Sequence, residues 1–399
     1  MFFTHLRDQL QCLETEGLLR YRRTVKGSHD AHVKVDGQDF VSFCSNDYLG
    51  LASHPLLVAA AREGAELYGV GAGASHLVSG HNMAHHLVEE KLAEFVELPQ
   101  ALLFSTGYMA NLGVVTALVS RDDSLFSDKL NHASLNDAAL LSRAKLRRYP
   151  HLDMQALGKL LAASGGKRKL VLSDAVFSMD GDISPVPDIL ALCERHDAWL
   201  LLDDAHGFGV LGREGRGALS HFNVNSPRII YMGTLGKAAG VFGAFVAGEK
   251  EVIQTLIQRS RSYIYTTATP PLLAHTLLKS LDLIRAESAR RTHLADLIAR
   301  LKNRMRLQQW RLLPSQTPIQ PLIIGESRAA VKVSAVLAEA GILVPAIRPP
   351  TVLQGTARLR ISLSAAHSTD DVERLVSTLH ELEKEIEPQS RCGAEFLIR

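Results

Sequence analysis

Short apolar runs alternate with helix-period segments through the middle of this 399-residue chain. That rhythm confines the chain to the α/β class. The runs ALLF, SLFSD, KLVLSDAVF, WLLLDD, RIIYMGT and GAFVAG read as strands, and Leu112 to Val119, Asp153 to Ala163 and Pro187 to Arg195 read as helices between them. Strands apolar at successive positions are buried on both faces, which predicts a mostly parallel central sheet covered by helices on each side. Such sheets bind ligands beyond the carboxyl ends of their strands, and the polar residues of this chain gather at those ends.

A single hydrophobic core stops growing at about 250–300 residues, so a second domain is expected. Residues 1–45 read as a helix and a hairpin (HVKVDGQDFVSFCS) packing with the small domain, 46–275 as the large domain, and 276–399 as a C-terminal α+β small domain. With 46% hydrophobic residues, 22% charged residues and a net charge of +2, the composition fits a globular protein and argues against disorder, nucleic-acid binding and a membrane location. The first residues carry charges and lack an apolar leader core, which predicts a cytoplasmic protein. Cys12, Cys44, Cys193 and Cys392 follow no C-x-x-C spacing and are expected to be reduced.

In RIIYMGTLGKAAG a strand runs into Thr234 and the Gly-flanked Lys237. An isolated G-K is commonly a solvated loop. A phosphate-binding P-loop is disfavoured, because Tyr231 and Ala238 stand where glycine and Ser/Thr are needed. The preceding strand, WLLLDDAHGFGV, delivers Asp203 and His206 to the same edge. Lysine forms Schiff bases with aldehydes, and an ionised Asp keeps a pyridine nitrogen protonated. Together these point to pyridoxal 5′-phosphate (PLP). Two acids and one His do not complete a metal site, so no metal is expected. In LLFSTGYMANLG a strand ends near Thr106, Gly107 and Tyr108 and a helix follows; its first N–H groups suit phosphate, although an ordinary capped helix has the same pattern. His132, in NHASLNDAAL, can stack on a planar ring or be an ordinary core or surface His.

Other features favour plain readings. Gly69 to Ala74 lacks dinucleotide spacing and is expected to shape a turn near the ligand. His81, His85 and His86 lack a metalloprotease Glu and are expected on a polar helix face. The basic run SRAKLRRYPH reads as a solvated edge strand, with steering of a phosphate-bearing substrate as the alternative.

The motifs SNDYLGLASHP, LVSGHNMAHHLVEEKLAEF, LNHASLNDA, VFSMDGDISP, LLDDAHGFGVLGREGRG, GTLGKAAG and YTTATPP occur in the order seen in the α-oxoamine synthases, and from about Gly17 to Glu385 the chain resembles that family. The resemblance implies the aspartate-aminotransferase fold (fold type I), PLP as cofactor and a homodimer with shared active sites. It implies Lys237 as the Schiff-base lysine, Asp203 at the pyridine nitrogen, His206 at the phenolic oxygen and His132 stacked on the ring. Thr106, Gly107, Tyr108 and Thr234 would hold the phosphate, with Ser178 near the ring, while Thr266 and Thr267 would reach the phosphate of the neighbouring subunit. Asn46 and Ser75 would line the substrate side, Arg348 would bind the amino-acid carboxylate, and Arg20 would meet the acyl substrate, with Arg22 and Arg23 close by. AIRPPTV followed by GTARLRISLSAAH resembles the branch that condenses L-alanine with a pimeloyl thioester, on CoA or an acyl carrier protein, with loss of CO2. His76, Leu353 and Asp174 depart from the family pattern. Alternatives are a glycine C-acetyltransferase, an aminotransferase, and a non-catalytic partner or sensor on the same fold.

Overall fold

The computed structural model describes residues 2–16 and 18–385; Cys392 and the rest of the C-terminal tail lie outside them. Its centre is a seven-stranded sheet in the order Gln100–Phe104, Ala244–Gly248, Ile229–Thr234, Trp199–Asp203, Lys169–Asp174, Ser124–Asp128, Lys145–Tyr149. Ala244–Gly248 runs antiparallel to both its neighbours, and the pairs from Ile229–Thr234 to Lys145–Tyr149 are all parallel. The expected two-sided burial is present. Along one strand Leu200 and Leu202 join the core on one face and Leu201 the core on the other. Helices Gly107–Leu118, Ala133–Ser142 and Lys250–Arg259 cover one face; Met83–Val96, Met154–Ala162, Val186–Arg195 and Pro271–Ala286 cover the other.

Three local readings change. The strand predicted through Phe177 stops at Asp174, because Val176 bridges instead to Ile183 and Phe177 N–H donates to the Asp182 carbonyl. The helix predicted from Leu112 starts at Gly107, where the Thr106 hydroxyl caps Met109 N–H at 3.1 Å. His81 precedes its helix, whose N-cap is Asn82, and His85 is fully buried, so only His86 lies on an exposed helix face as expected. The basic run forms the edge strand Lys145–Tyr149.

The two chain ends meet. Hairpin strands His32–Val35 and Gln38–Ser42 turn at Asp36 and Gly37, both with positive φ (48° and 91°), as a two-residue hairpin requires. Gln38–Ser42 pairs in parallel with Ile342–Leu343. Nearby, Ile319–Gly325 pairs with Arg311–Leu312 and Ala357–Ser362, and Ala346–Ile347 closes the far edge. Among the described residues no helix is long and apolar enough to cross a membrane.

Candidate active site

The carboxyl ends of the parallel strands converge on a cavity of about 210 Å³ lined by Gly107, Tyr108, His132, Ser134, Asp174, Ser178, Asp203, His206, Thr234 and Lys237, among others. Each arrives by strand geometry: Asp174, Asp203 and Thr234 are last residues of their strands, and His132 caps the helix after Ser124–Asp128. The Lys237 loop is held rigidly. Gly240, at φ 67°, lies so close to the Leu51–Ala52 backbone that a Cβ there would come within 2.7 Å of it.

Lys237 Nζ is 2.9 Å from His206 Nε2, and His206 Nδ1 is 2.6 Å from the hydroxyl of Tyr48, which donates to Asn46 Oδ1 at 3.2 Å. Burial pushes the half-buried Lys237 amine down to about 8; Asp203 opposes the shift and Arg360 adds to it. Burial likewise keeps His206 well below the usual imidazole range, with Lys237 and Arg360 reinforcing the effect. A neutral His206 therefore lies between a lysine and a phenol, able to accept from one and donate to the other.

A second network sets the acid. Asn111, fully buried, donates to Asp203 Oδ2 at 2.7 Å and to Ser134 Oγ at 2.8 Å, while Asp203 Oδ1 accepts from Ala205 N–H at 3.0 Å. Ser134 has an N–H 3.3 Å and a hydroxyl 2.7 Å from His132 Nδ1. Both Ser134 groups act as donors there, which leaves His132 with its proton on Nε2. Burial lowers the His132 pKa, so that ring is neutral too. The two adjacent acids part ways: Asp203 lines the cavity, whereas Asp204 accepts from Ala218 N–H and Tyr231 Oη and is raised by burial to about 7.

Of the residues expected at the site, Gly107, Tyr108, His132, Ser178, Asp203, His206, Thr234 and Lys237 share the cavity wall, and Thr106 caps the helix that opens onto it. Tyr108 also donates to Asp137. Ser75, Thr266 and Thr267 are not on that wall. They lie on two segments joined to each other by Ala268 N–H donating to the Ala74 carbonyl at 3.0 Å. Arg348 is not on that wall either: it follows the edge strand Ala346–Ile347 and lines an outer cavity of about 490 Å³ with Arg20, Leu13, Leu18 and Leu19. The arginine beside Asn46 is Arg360: buried, it donates to Asn46 Oδ1 at 3.2 and 3.3 Å and to the Ser178 carbonyl at 2.5 Å. Tyr48, Asn111, Ser134 and Arg360 were not singled out from sequence, since their polar partners are distant in the chain.

The residues fit PLP. The lysine amine faces a cavity with a buried carboxylate suited to a pyridinium N–H and an imidazole wall. It also offers the backbone N–H groups of Gly107 and Tyr108 which, in the first turn of Gly107–Leu118, have no acceptor within the helix and suit a phosphate.

Comparison with known proteins agrees with that fit. The family model for aminotransferase class I and II matches residues 38–379. The 8-amino-7-oxononanoate synthase of Nitrosospira multiformis is 64% identical over 382 residues, 96% of either chain. The enzyme of the same name from Nitrosomonas europaea is 61% identical over 380 residues, 94% of this chain and 98% of its own. Among solved structures, serine palmitoyltransferase from Sphingomonas wittichii superposes with a TM-score of 0.91 at 29% identity, over 96% of this chain and 97% of that one. The 8-amino-7-oxononanoate synthase of Francisella tularensis does so at 0.74 and 32%, over 87% and 98%. A fold type I sheet with Lys237, His206 and Asp203 at its strand ends, in a chain alike over its whole length to enzymes of one name, means that the chain belongs to the PLP-dependent 8-amino-7-oxononanoate synthase family.

Proposed function

We propose that the chain condenses L-alanine with a pimeloyl thioester, carried on CoA or an acyl carrier protein, releasing CO2 and the free thiol to give 8-amino-7-oxononanoate for biotin biosynthesis. The observation that carries this reading is the full-length identity with relatives of that name. The cofactor, when bound, supplies an electron-withdrawing pyridinium ring that stabilises negative charge on the amino acid's α-carbon.

The remaining work falls to the chain's own groups. Arg360, beside Asn46, binds the alanine carboxylate with its planar fork. Lys237 Nζ, with a pKa of about 8, takes the α-proton and later returns one, since a base works best when its pKa lies near the working pH. His206, braced by Tyr48, fixes the direction of Nζ. Asp203, held by Asn111 and Ala205, keeps a pyridine nitrogen protonated. His132 Nε2–H donates to the thioester carbonyl as its oxygen gains charge, a contribution of about 3 kcal/mol for donors of this kind. Arg20 and Arg348, with leucines between them, offer an apolar passage with positive charge for the acyl donor.

The same reading takes the enzyme to be a cytoplasmic homodimer. The described cysteines Cys12, Cys44 and Cys193 are free thiols. Val70, Leu77, Val78 and Met83 are exposed on the stretch around Ser75, an apolar surface that a second copy would cover while bringing Thr266 and Thr267 to its neighbour's phosphate.

The test is thiol release from pimeloyl-CoA and from pimeloyl-acyl carrier protein with L-alanine, beside acetyl-CoA with glycine, in wild type and Lys237→Ala. Release with alanine and a pimeloyl donor, lost in the variant, is expected. Release only with glycine and acetyl-CoA transfers the chain to the sister activity, and no release in any pair refutes catalysis.

A further inference from the structure

Three histidines lie together outside the Lys237 cavity. His76 opens a single π-turn, His76–Gly80; His81 follows it, and His85 stands in the first turn of Met83–Val96. One possible ligand atom from each lies within 4.8 Å of the other two. Nδ1 of His76 and Nδ1 of His81 are 3.1 Å apart. Two nitrogens held about 2.0–2.1 Å from one tetrahedral ion stand roughly 3.3 Å apart, so this pair already has a chelating separation.

The surroundings favour the ligand form. His76 stacks on Tyr263, ring centroids 4.9 Å apart and planes 11° apart, which fixes the ring without occupying its nitrogens. Burial, with His85 and His81 adding to it, pushes the His76 pKa down to about 3, and burial lowers His81 and His85 as well. A cleft of about 740 Å³ runs past His76, His81 and Tyr263. His85 is tied more tightly: Nδ1 accepts from Asn82 N–H at 2.9 Å and Nε2 donates to the Thr269 carbonyl at 2.7 Å.

We propose that His76 and His81 bind one divalent ion of the zinc, nickel or copper kind, with solvent completing the shell, while His85, whose two nitrogens hold Asn82 N–H and the Thr269 carbonyl, packs beside both rings. Imidazole nitrogen suits these ions and not magnesium or calcium, which take oxygen ligands. The site goes beyond the condensation and stands apart from it, because none of its ligands lines the Lys237 cavity.

Dialysis of the untagged holoenzyme against Zn²⁺, followed by elemental analysis, is expected to give one ion per chain, and Co²⁺ in its place to add visible bands at longer wavelength than the cofactor's. His76→Asn and His81→Asn each lower the affinity by about tenfold or more. His86→Asn, on an exposed ring 3.3 Å from Glu90, leaves it unchanged. Should His76→Asn fail to fold, the exposed His81 decides the matter alone. Uptake far below one ion per chain overturns the site, as does uptake that His81→Asn leaves unaltered.

Discussion

Lys237 has an amine lowered to about 8 by burial, so near neutral pH a useful fraction is already unprotonated. Lys237→Ala is expected to slow turnover by at least about 10²–10⁴-fold, measured as thiol release, while the fold persists by circular dichroism. Asn111→Ala is a sharper test of the second network. It removes a side chain that donates to both Asp203 and Ser134, and so slackens the acid and His132 together. A loss of stability of about 1–3 kcal/mol is expected in urea melts, with weakened cofactor retention on dialysis; a variant indistinguishable from wild type in both would show that Asn111 positions nothing. Asp203, His206 and Lys237 were legible because each follows an apolar strand within a few residues. Tyr48, Asn111 and Arg360 were not, since their site partners His206, Asp203 and Asn46 lie 158, 92 and 314 positions away. A single sequence carries no local signal for such pairings.

At the scale of elements, the helix Gly107–Leu118 depends on its start. Thr106→Ala removes the hydroxyl that caps Met109 and is expected to cost about 1 kcal/mol in chemical denaturation, with Thr106→Ser restoring most of it. Periodicity placed this helix only by its apolar middle, Leu112 to Val119, and was blind to the polar first turn, which the capping pattern at Thr106 to Tyr108 marked instead. The same blindness let the Lys169–Asp174 strand run on through apolar Ala175–Phe177, whose turn is made by contacts with Asp182 and Ile183 that composition does not reveal. The loop after Lys145–Tyr149 is pinned by His151, which is 3.0 Å from Asp128 and 2.7 Å from Asp182. Burial works against its charge, yet the two carboxylates hold the ring up to about 10. Since that lies above the unfolded value near 6.5, the stabilisation is complete below about pH 6.5 and is lost as pH rises through 10. Wild type is therefore expected to lose on the order of 2 kcal/mol more than His151→Gln between pH 7 and 10, followed as the difference in Tm; parallel curves would refute the clamp.

Over the whole molecule, the alternating rhythm foretold the sheet and its two covered faces, because burial on both sides must be written into each strand. Strand order, and the antiparallel entry of Ala244–Gly248 between Gln100–Phe104 and Ile229–Thr234, come from long-range pairing that no window of sequence displays. The proposed dimer makes a measurable claim at this scale. Val78→Asp, on an exposed apolar side chain of the stretch around Ser75, is expected to shift the chain toward monomer in analytical ultracentrifugation and to cut activity in step with the monomer fraction; an unshifted dimer would move the interface elsewhere.

Arg360 touches Asn46, and Tyr48 touches His206, so early, middle and late stretches of the chain meet at one point. A polypeptide still leaving the ribosome has made Lys237 long before it has made Arg360. Until then Asn46 and the Ser178 carbonyl lack the guanidinium that joins them. The site is thus complete only after synthesis has passed Arg360.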